Sequence, residues 1–169
     1  NSFSSQSWAF GGDSDWDIES GSSSGGSYSA KSGAIDNNMT SEISITMEIV
    51  QDGYIKFDKK VSCENVGSST GNFYDYLAFY INDIEQGKWA GEVAWSQDSY
   101  AVSEGEHTFK WVYSKDQAVT SGDDAVWIDN IEFPPCLGSG GVLLGDPNYD
   151  GVVNVLDVVL VVNMILAIS

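Results

Sequence analysis

The chain has 169 residues, of which 25 are acidic and 7 are basic, so its net charge at pH 7 is -18. This charge repels phosphate and leaves no basic stripe, which excludes nucleic acid as a partner and favours divalent cations, above all Ca²⁺. The length is sufficient for one domain with a hydrophobic core and a small appendage. For most of the acidic residues, a solvated surface is the alternative role.

Residues 1–136 carry the pattern of an all-β sandwich. Short runs of alternating apolar and polar residues are separated by clusters of Gly, Ser, Asn and Asp, which favour turns. Pro134 and Pro135 lack backbone N–H groups and therefore end the last strand. The predicted strands comprise residues 7–10, 16–19, 28–31, 41–50, 53–62, 75–81, 87–95, 99–102, 107–114 and 125–133.

Six short segments within residues 1–135 carry a family resemblance. They are WAF at 8–10, GSYSA at 26–30, SGAI at 32–35, DYLAFY at 75–80, GEHTFKW at 105–111 and AVWIDNI at 125–131. Together they resemble the MAM-like and concanavalin-like jelly-roll modules of large bacterial cell-surface proteins. The resemblance implies a jelly-roll β-sandwich, and such modules serve as carbohydrate binders, adhesion modules or spacers.

The resemblance also implies a calcium site inside the sandwich domain, because jelly rolls of this kind often hold Ca²⁺ where their first and last strands meet. The candidate ligands are Asp13, Asp15 and Asp17 near the first strands and Asp129 in the last strand. Carboxylate oxygens from two loops would supply part of the six to eight ligands that Ca²⁺ takes. Turn formation by these aspartates is the alternative.

The two cysteines, Cys63 and Cys136, have no zinc-type spacing and are predicted to form a disulfide. A disulfide requires an oxidising compartment, and the Ser/Gly/Asn-rich, Lys-poor composition agrees with secretion. No signal peptide is visible at Asn1, which we interpret as the start of a processed chain. We therefore expect an extracellular or cell-surface protein.

No catalytic constellation is visible, so we predict that the protein is not an enzyme. A glycosidase needs two carboxylates that face each other across a cleft, and no spacing singles out such a pair. The sequence shows neither a nucleophile elbow nor a phosphate-binding loop. His107, the only histidine, is expected to be structural, and Asn38 fits the N-glycosylation pattern.

Residues 137–145 are a Gly-rich linker, and residues 146–157 match the twelve-position calcium loop. Gly151 occupies position 6, where the loop turns sharply, and each liganding position holds an oxygen donor. Val152 contributes its backbone carbonyl. The predicted calcium ligands are Asp146, Asn148, Asp150, Val152, Asn154 and Asp157.

This loop and the apolar helix after it, residues 145–169, resemble a dockerin type I repeat, because position 12 is Asp157 and position 9 is Asn154. The resemblance implies a Ca²⁺-dependent helix that docks on a cohesin-like scaffold. Dockerins usually carry two repeats, whereas this chain carries one. Positions 10 and 11, which commonly recognise cohesin, hold Val155 and Leu156 instead of small hydroxyl residues. These departures weigh against the usual cohesin contact.

Residues 152–168 are apolar at every position except Asn154, Asp157 and Asn163, which predicts a helix that must be buried on all sides. Burial of about a dozen such side chains contributes on the order of 20 kcal/mol. Three surfaces could receive the helix: a membrane, the chain's own sandwich or another protein subunit. A membrane span needs ~20 apolar residues, and this segment is shorter. The predicted docking residues are Val155, Leu156, Val158, Val159, Val162, Ile165 and Leu166.

We therefore predict a structural or adhesive protein whose assembly depends on Ca²⁺. The C-terminal helix of one copy docks on the next copy, which gives a head-to-tail filament or sheath. The alternative is a carbohydrate-binding module that the dockerin-like tail attaches to a scaffold. In that case exposed aromatic residues on a concave sheet face would bind the glycan, although core packing is their other expected role. The aromatic candidates are Trp89, Trp95, Tyr100, Trp111 and Trp127.

Overall fold

A computed structural model describes residues 7–136. Among these residues, ten strands form two five-stranded sheets, and no helix is long and apolar enough to cross a membrane. The strands are β1 Ala9–Gly12, β2 Asp17–Glu19, β3 Ser29–Lys31, β4 Thr40–Ile49, β5 Gly53–Ser62, β6 Tyr76–Ile81, β7 Ile84–Trp89, β8 Glu92–Val102, β9 Gly105–Ser114 and β10 Ala125–Glu132. The predicted all-β sandwich is confirmed, whereas the calcium loop and helix predicted for residues 146–169 lie outside the described range.

The first sheet has the strand order β1-β4-β9-β6-β7, and the second has the order β2-β3-β10-β5-β8. All pairings within both sheets are antiparallel. Strands β4 and β5 follow each other in the chain but belong to different sheets, as do β5 and β6, and these two connections leave opposite ends of β5. The connections therefore pass from one sheet to the other at both ends of the sandwich, as in a jelly roll.

The core lies between the sheets because each strand alternates apolar and polar side chains. On β4, Ile43, Ile45 and Met47 are buried, while Thr46 and Glu48 between and beyond them are exposed. In the centre, the fully buried Trp111 has its ring centroid 5.3 Å from that of Phe57 and makes further ring contacts. Such aromatic pairs contribute about 0.5–1.5 kcal/mol each beyond the burial of their area.

Strands β7 and β8 differ from the prediction, which placed one strand over residues 87–95. The chain instead reverses at Gly91, whose φ is 76°. A positive φ favours glycine, and a Cβ at this position would lie 2.1 Å from Asn65 Oδ1 and displace the Asn65 side chain. The Gly91 N–H also donates to the Glu64 carbonyl at 3.0 Å. The sequence carries an isolated glycine here, which is a weak turn signal on its own.

The two cysteines do not form the predicted disulfide. Cys63 directly follows the last residue of β5, whereas Cys136 forms a bridge with Ile49, which precedes the start of β5. The ten residues of β5 at about 3.3 Å each place the two thiols roughly 30 Å apart. A disulfide requires Cα atoms within about 7 Å of each other. The disulfide prediction is therefore wrong, and it lends no support to secretion.

The outer face of the second sheet is covered over one half by residues 20–28, here called the roof loop. The Ser24 and Gly25 N–H groups donate to Asp129 Oδ2 at 2.8 and 3.0 Å, and the Ser24 hydroxyl donates to Asp58. Next to the roof loop, Trp127 is buried, because Lys60 Nζ lies 4.2 Å from its ring centroid. The other half of this face, formed by β5 and β8, carries exposed side chains.

Candidate functional site

An open hollow of about 510 Å³ lies at the uncovered end of the second sheet, where β5 begins and β8 ends. Its volume is within the range of small-molecule sites in proteins, which are about 300–1,000 Å³. We call it the Tyr54 hollow, and its lining residues are Asp52, Gly53, Tyr54, Ala101, Val102 and Ser103.

Tyr54 is the most prominent side chain of the hollow, with 59% of its surface exposed. Its ring is open because Tyr54 pairs with Ala101 of β8, whose single methyl group is too small to cover an aromatic ring. The next pair, Gly53 with Val102, faces the opposite side of the sheet, where Val102 is buried. The cross-strand register therefore presents one aromatic ring beside one small side chain, that of Ala101.

Polar groups border this ring on the side of the β8–β9 connection. Asp52 Oδ1 accepts a hydrogen bond of 2.8 Å from the Glu104 N–H, which holds the two turns together. The second oxygen of Asp52 and the Ser103 hydroxyl can exchange hydrogen bonds with a ligand. The hollow thus combines an aromatic platform with a carboxylate and a hydroxyl.

The hollow continues along the outer face of β5 and β8 as a strip of polar side chains. Lys56 pairs with Ser99 across the two strands, and Gln97 follows further along β8. The Lys56 ammonium donates to Glu132 Oε2 at 3.0 Å on the side away from β8. A linear ligand lying in the hollow could extend over this strip and meet amide and hydroxyl groups.

The aromatic residues predicted to bind glycan do not form this surface. Trp111 and Trp127 are buried, which confirms core packing for Trp111. Trp89 and Tyr100 pack between the sheets, each with its ring centroid 6.2 Å from that of Phe57. The composition singled out large aromatics, whereas exposure at Tyr54 depends on its cross-strand neighbour.

Trp95 is partly buried, and it lies on β8 where the register with β5 shifts between Lys59 and Val61. Next to this shift, Lys59 is a buried lysine whose Nζ pairs with Asp98 and lies 4.6 Å from the Trp89 ring centroid. Burial and the nearby Asp98 carboxylate raise the pKa of Tyr100 to about 12. These contacts hold β8 against the core and fix the strand that carries Ala101 and leads to Ser103.

A second group of tyrosines lies on the outer face of the first sheet, on β6. Leu77 and Phe79 point into the core, and Tyr76 and Tyr80 point outward, as the alternation predicts. Lys88 Nζ lies 4.4 Å from the Tyr76 ring centroid, and Lys110 Nζ lies 5.5 Å from that of Tyr80. Since a lysine already lies over each of these rings, they are less available than the ring of Tyr54.

The acidic residues predicted as a calcium site in the sandwich have other partners. Asp13 Oδ2 accepts the Thr40 N–H at 2.9 Å, and Asp17 Oδ1 accepts its neighbour's N–H at 2.8 Å. Asp129 Oδ2 holds the roof loop, and Asp15 is exposed. In residues 7–136, no three of these four carboxylates converge within ligand distance.

A different acidic group does converge. Oxygen atoms of Glu64, Asp75 and Asp116 all lie within 4.8 Å of one another, and we call this group the carboxylate cluster. Glu64 follows β5, Asp75 precedes β6 and Asp116 follows β9. Sequence reasoning missed it because three separate connections contribute one acid each, and only the strand order brings them together.

The remaining predicted site residues are placed as follows. His107 has a structural role: its Nε2 lies 3.0 Å from the Ser103 carbonyl oxygen, and Asn82 Nδ2 lies 3.1 Å from its Nδ1. Asn38 is exposed in a turn with a φ of 61°. Its glycosylation stays a prediction. The predicted ligands and docking residues between Asp146 and Leu166 lie outside the described residues.

No protein-family model matches this chain, and no curated protein sequence matches it. Solved structures do match. The structure of TmCBM61 in complex with beta-1,4-galactotriose is 15% identical with a TM-score of 0.51, over 73% of this chain and 85% of that one. The K1 cleaved adhesin domain of Lys-gingipain from Porphyromonas gingivalis W83 is 10% identical with a TM-score of 0.50, over 73% of this chain and 88% of that one.

The secreted serine protease VesC from Vibrio cholerae is 20% identical with a TM-score of 0.52, over 63% of this chain. The match covers 21% of VesC, so this chain spans about a fifth of that protein. Identities this low establish a shared architecture and leave the function to be argued from the site. The comparisons therefore show that the described region is a jelly-roll β-sandwich.

Proposed function

We propose that the chain is a non-catalytic carbohydrate-binding module whose glycan lies in the Tyr54 hollow. The observation that carries this proposal is the open ring of Tyr54, 59% exposed, inside a hollow of about 510 Å³ with a carboxylate and a hydroxyl beside it. A sugar ring has an apolar face and a rim of hydroxyl groups, so it needs this combination of an aromatic platform and polar partners.

The similarity of fold supports the choice of ligand class. One structure of this fold was determined with beta-1,4-galactotriose, and it covers 73% of this chain. Because the identity is 15%, the similarity supports a glycan as the class of ligand and not galactan as the sugar. The hollow is open toward the strip of Lys56, Ser99 and Gln97, which suits an internal stretch of a polysaccharide.

The contacts define how each residue would act. The Tyr54 ring stacks on the apolar face of one sugar unit, while Asp52 accepts hydrogen bonds from its hydroxyl groups and Ser103 donates or accepts one. One aromatic platform with a few solvent-exposed hydrogen bonds corresponds to a dissociation constant of roughly 0.1–1 mM. Such binding is useful where several modules or a second binding site act together.

A glycan array followed by isothermal titration calorimetry tests the proposal. We expect Tyr54→Ala to weaken binding of the best array ligand at least tenfold, which equals about 1.4 kcal/mol, because the stacking platform is removed. Tyr28→Ala is the matched control, since Tyr28 is 49% exposed in the roof loop and is not part of the hollow. Equal affinities of wild type and Tyr54→Ala, or no glycan bound at all, would overturn the proposal.

A binding module of this kind acts on extracellular or cell-surface glycans, and the tail would attach it there. The sequence predicts that residues 146–169 bind Ca²⁺ and dock on another copy or on a cohesin-like scaffold. That part of the chain lies outside the described residues, so calcium-dependent assembly stays a prediction. Electron microscopy with Ca²⁺, with a chelator, and after deletion of residues 145–169 tests it, and three monodisperse monomeric samples would contradict it.

A further inference from the structure

The carboxylate cluster lies at the end of the sandwich opposite the Tyr54 hollow, because Glu64 follows the last residue of β5 and Tyr54 is near its first. Its three acids come from three different connections, and their oxygens lie within 4.8 Å of one another. Burial is the main cause that raises the pKa of Glu64 and of Asp75, and repulsion by neighbouring carboxylates, including that of Asp116, adds to it. The fold therefore brings together negative charges that oppose one another.

Asp75 is the central member of the cluster. It is fully buried, with 0% of its surface exposed. Its Oδ1 accepts the Asp116 N–H at 3.0 Å, whereas its Oδ2 is buried and has no hydrogen-bond partner. Native proteins rarely leave a buried carboxylate oxygen unsatisfied, so such an oxygen calls for a ligand.

The nearest buried cation cannot fill this role, because Lys115 has other partners. Its ammonium lies 2.6 Å from Asp124 Oδ1 and donates to the Thr120 hydroxyl at 3.2 Å. Tyr113 adds a further hydrogen bond to the same Asp124 carboxylate at 2.7 Å. Lys115 lowers the pKa of Asp75 through its charge, and among residues 7–136 the two side chains share no hydrogen bond or ion pair.

We propose that the carboxylate cluster of Glu64, Asp75 and Asp116 binds a calcium ion. Two oxygens bound to one Ca²⁺ at about 2.4 Å are at most about 4.8 Å apart. The oxygens of the carboxylate cluster all lie within 4.8 Å of one another and so meet this limit. Three carboxylates with water molecules can supply the six to eight oxygen ligands that Ca²⁺ takes. The ion would neutralise the repulsion and provide the missing partner of Asp75.

A soft metal does not suit this position. Cys63 is the nearest sulfur, and its thiol donates toward the carbonyl oxygens of Asp75 at 3.4 Å and of Glu64 at 3.7 Å. The thiol hydrogen is directed at these backbone carbonyls, and the sulfur is not among the atoms that converge in the carboxylate cluster. The available donors are all oxygens, which match a hard cation.

The test uses the full chain with the predicted C-terminal calcium loop silenced by Asp146→Asn and Asp150→Asn, so that a response reports on the sandwich. We expect Ca²⁺ to raise the melting temperature of this parent in a saturable way by differential scanning calorimetry. Asp75→Asn keeps an oxygen acceptor for the Asp116 N–H but removes the charge, and we expect it to weaken Ca²⁺ binding at least tenfold. Glu104→Gln is the matched control, since Glu104 is exposed and lies at the end of β9 opposite Asp116, away from the carboxylate cluster.

The proposal is overturned if Ca²⁺ leaves the parent's melting temperature unchanged, or if Asp75→Asn retains the full response. Should Asp75→Asn not fold, Glu64→Gln takes its place, because Glu64 is only partly buried, and it must weaken Ca²⁺ binding at least tenfold as well. The inference is independent of glycan binding, since the two sites are at opposite ends of β5. A negative result for Ca²⁺ binding at the carboxylate cluster therefore does not contradict glycan binding in the Tyr54 hollow, and the reverse also holds.

Discussion

Asp129, within β10, and Asp75, directly before β6, are both buried aspartates, but their surroundings compensate their charge differently. Asp129 accepts three backbone N–H groups, those of Ser24 and Gly25 on Oδ2 and that of Asn130 on Oδ1. Asp75 accepts one N–H, and its Oδ2 has none. The negative charge of Asp129 is thus compensated by N–H groups of the protein. The negative charge of Asp75 is compensated only in part, and a bound cation can neutralise the rest.

The difference originates in the local backbone. Residues 24 and 25 present two consecutive N–H groups to one carboxylate oxygen, and a Cβ on Gly25 would lie 2.9 Å from Asn130 Nδ2. Glycine therefore permits the close approach that satisfies Asp129. Around Asp75 the neighbouring side chains are acids, which accept hydrogen bonds but do not donate them when ionised.

The largest effect should come from Lys115→Met, which would leave Asp124 without the cation that compensates it. Removal of one partner of a buried ion pair costs about 3–5 kcal/mol of unfolding free energy. Lys110→Met is the matched control, because Lys110 pairs at 2.7 Å with the exposed Asp83, and surface pairs contribute about 0–1 kcal/mol. Urea unfolding measures both, and equal losses would contradict the assignment of Lys115 to a buried pair.

A smaller effect is expected from Asp129→Ala, which leaves the three N–H groups at the roof loop without their acceptor. We expect a loss of about 2–3 kcal/mol in unfolding free energy, because buried donors without partners are costly. This loss should be the same with Ca²⁺ and with a chelator. A loss that disappears in the chelator would mean that Asp129 binds an ion, and the contrast with Asp75 would then fail.

The third prediction concerns the alkylation rate of Cys63 and has the smallest effect on stability at neutral pH. Cys63 reports on the surroundings of Asp75 because its thiol contacts the Asp75 carbonyl. Its pKa of about 12, raised from 9.0 mainly by burial, predicts about a thousandfold slower alkylation at pH 8 in the native chain than in urea, because the thiolate fraction is smaller. Since the folded pKa is raised, this thiol stabilises the fold fully below about pH 9, and the contribution is lost as pH rises toward 12. Peptide mass spectrometry distinguishes alkylation of Cys63 from alkylation of Cys136. Comparable alkylation rates of Cys63 in the native chain and in urea would contradict the burial of its thiol.

The strands were predictable because side-chain alternation is a local property. The strand predicted over residues 75–81 corresponds to β6, Tyr76–Ile81, whereas the reversal at Gly91 depends on backbone hydrogen bonds with Cys63 and Glu64 that sequence patterns do not encode. Sites that depend on cross-strand partners were also missed. Tyr54 is open because Ala101 lies opposite, and Asp75 meets Glu64 and Asp116 only through the strand order.

The disulfide prediction failed for a related reason. Two cysteines in a chain suggest a pair, but their positions at opposite ends of β5 follow from the bridge between Ile49 and Cys136. The four aspartates predicted to hold Ca²⁺ were likewise chosen by type and spacing. Their backbone partners, such as the Thr40 N–H at Asp13, emerge only in the folded chain.

The location of glycan binding can be measured directly by NMR. Backbone amide signals of the ¹⁵N-labelled full chain are followed while the best ligand of the glycan array is added. The account predicts shifts concentrated at residues 52–54 and 99–103, with no significant change at Glu64, Asp75 or Asp116. Shifts centred on Tyr76 and Tyr80, or on the carboxylate cluster, would contradict it.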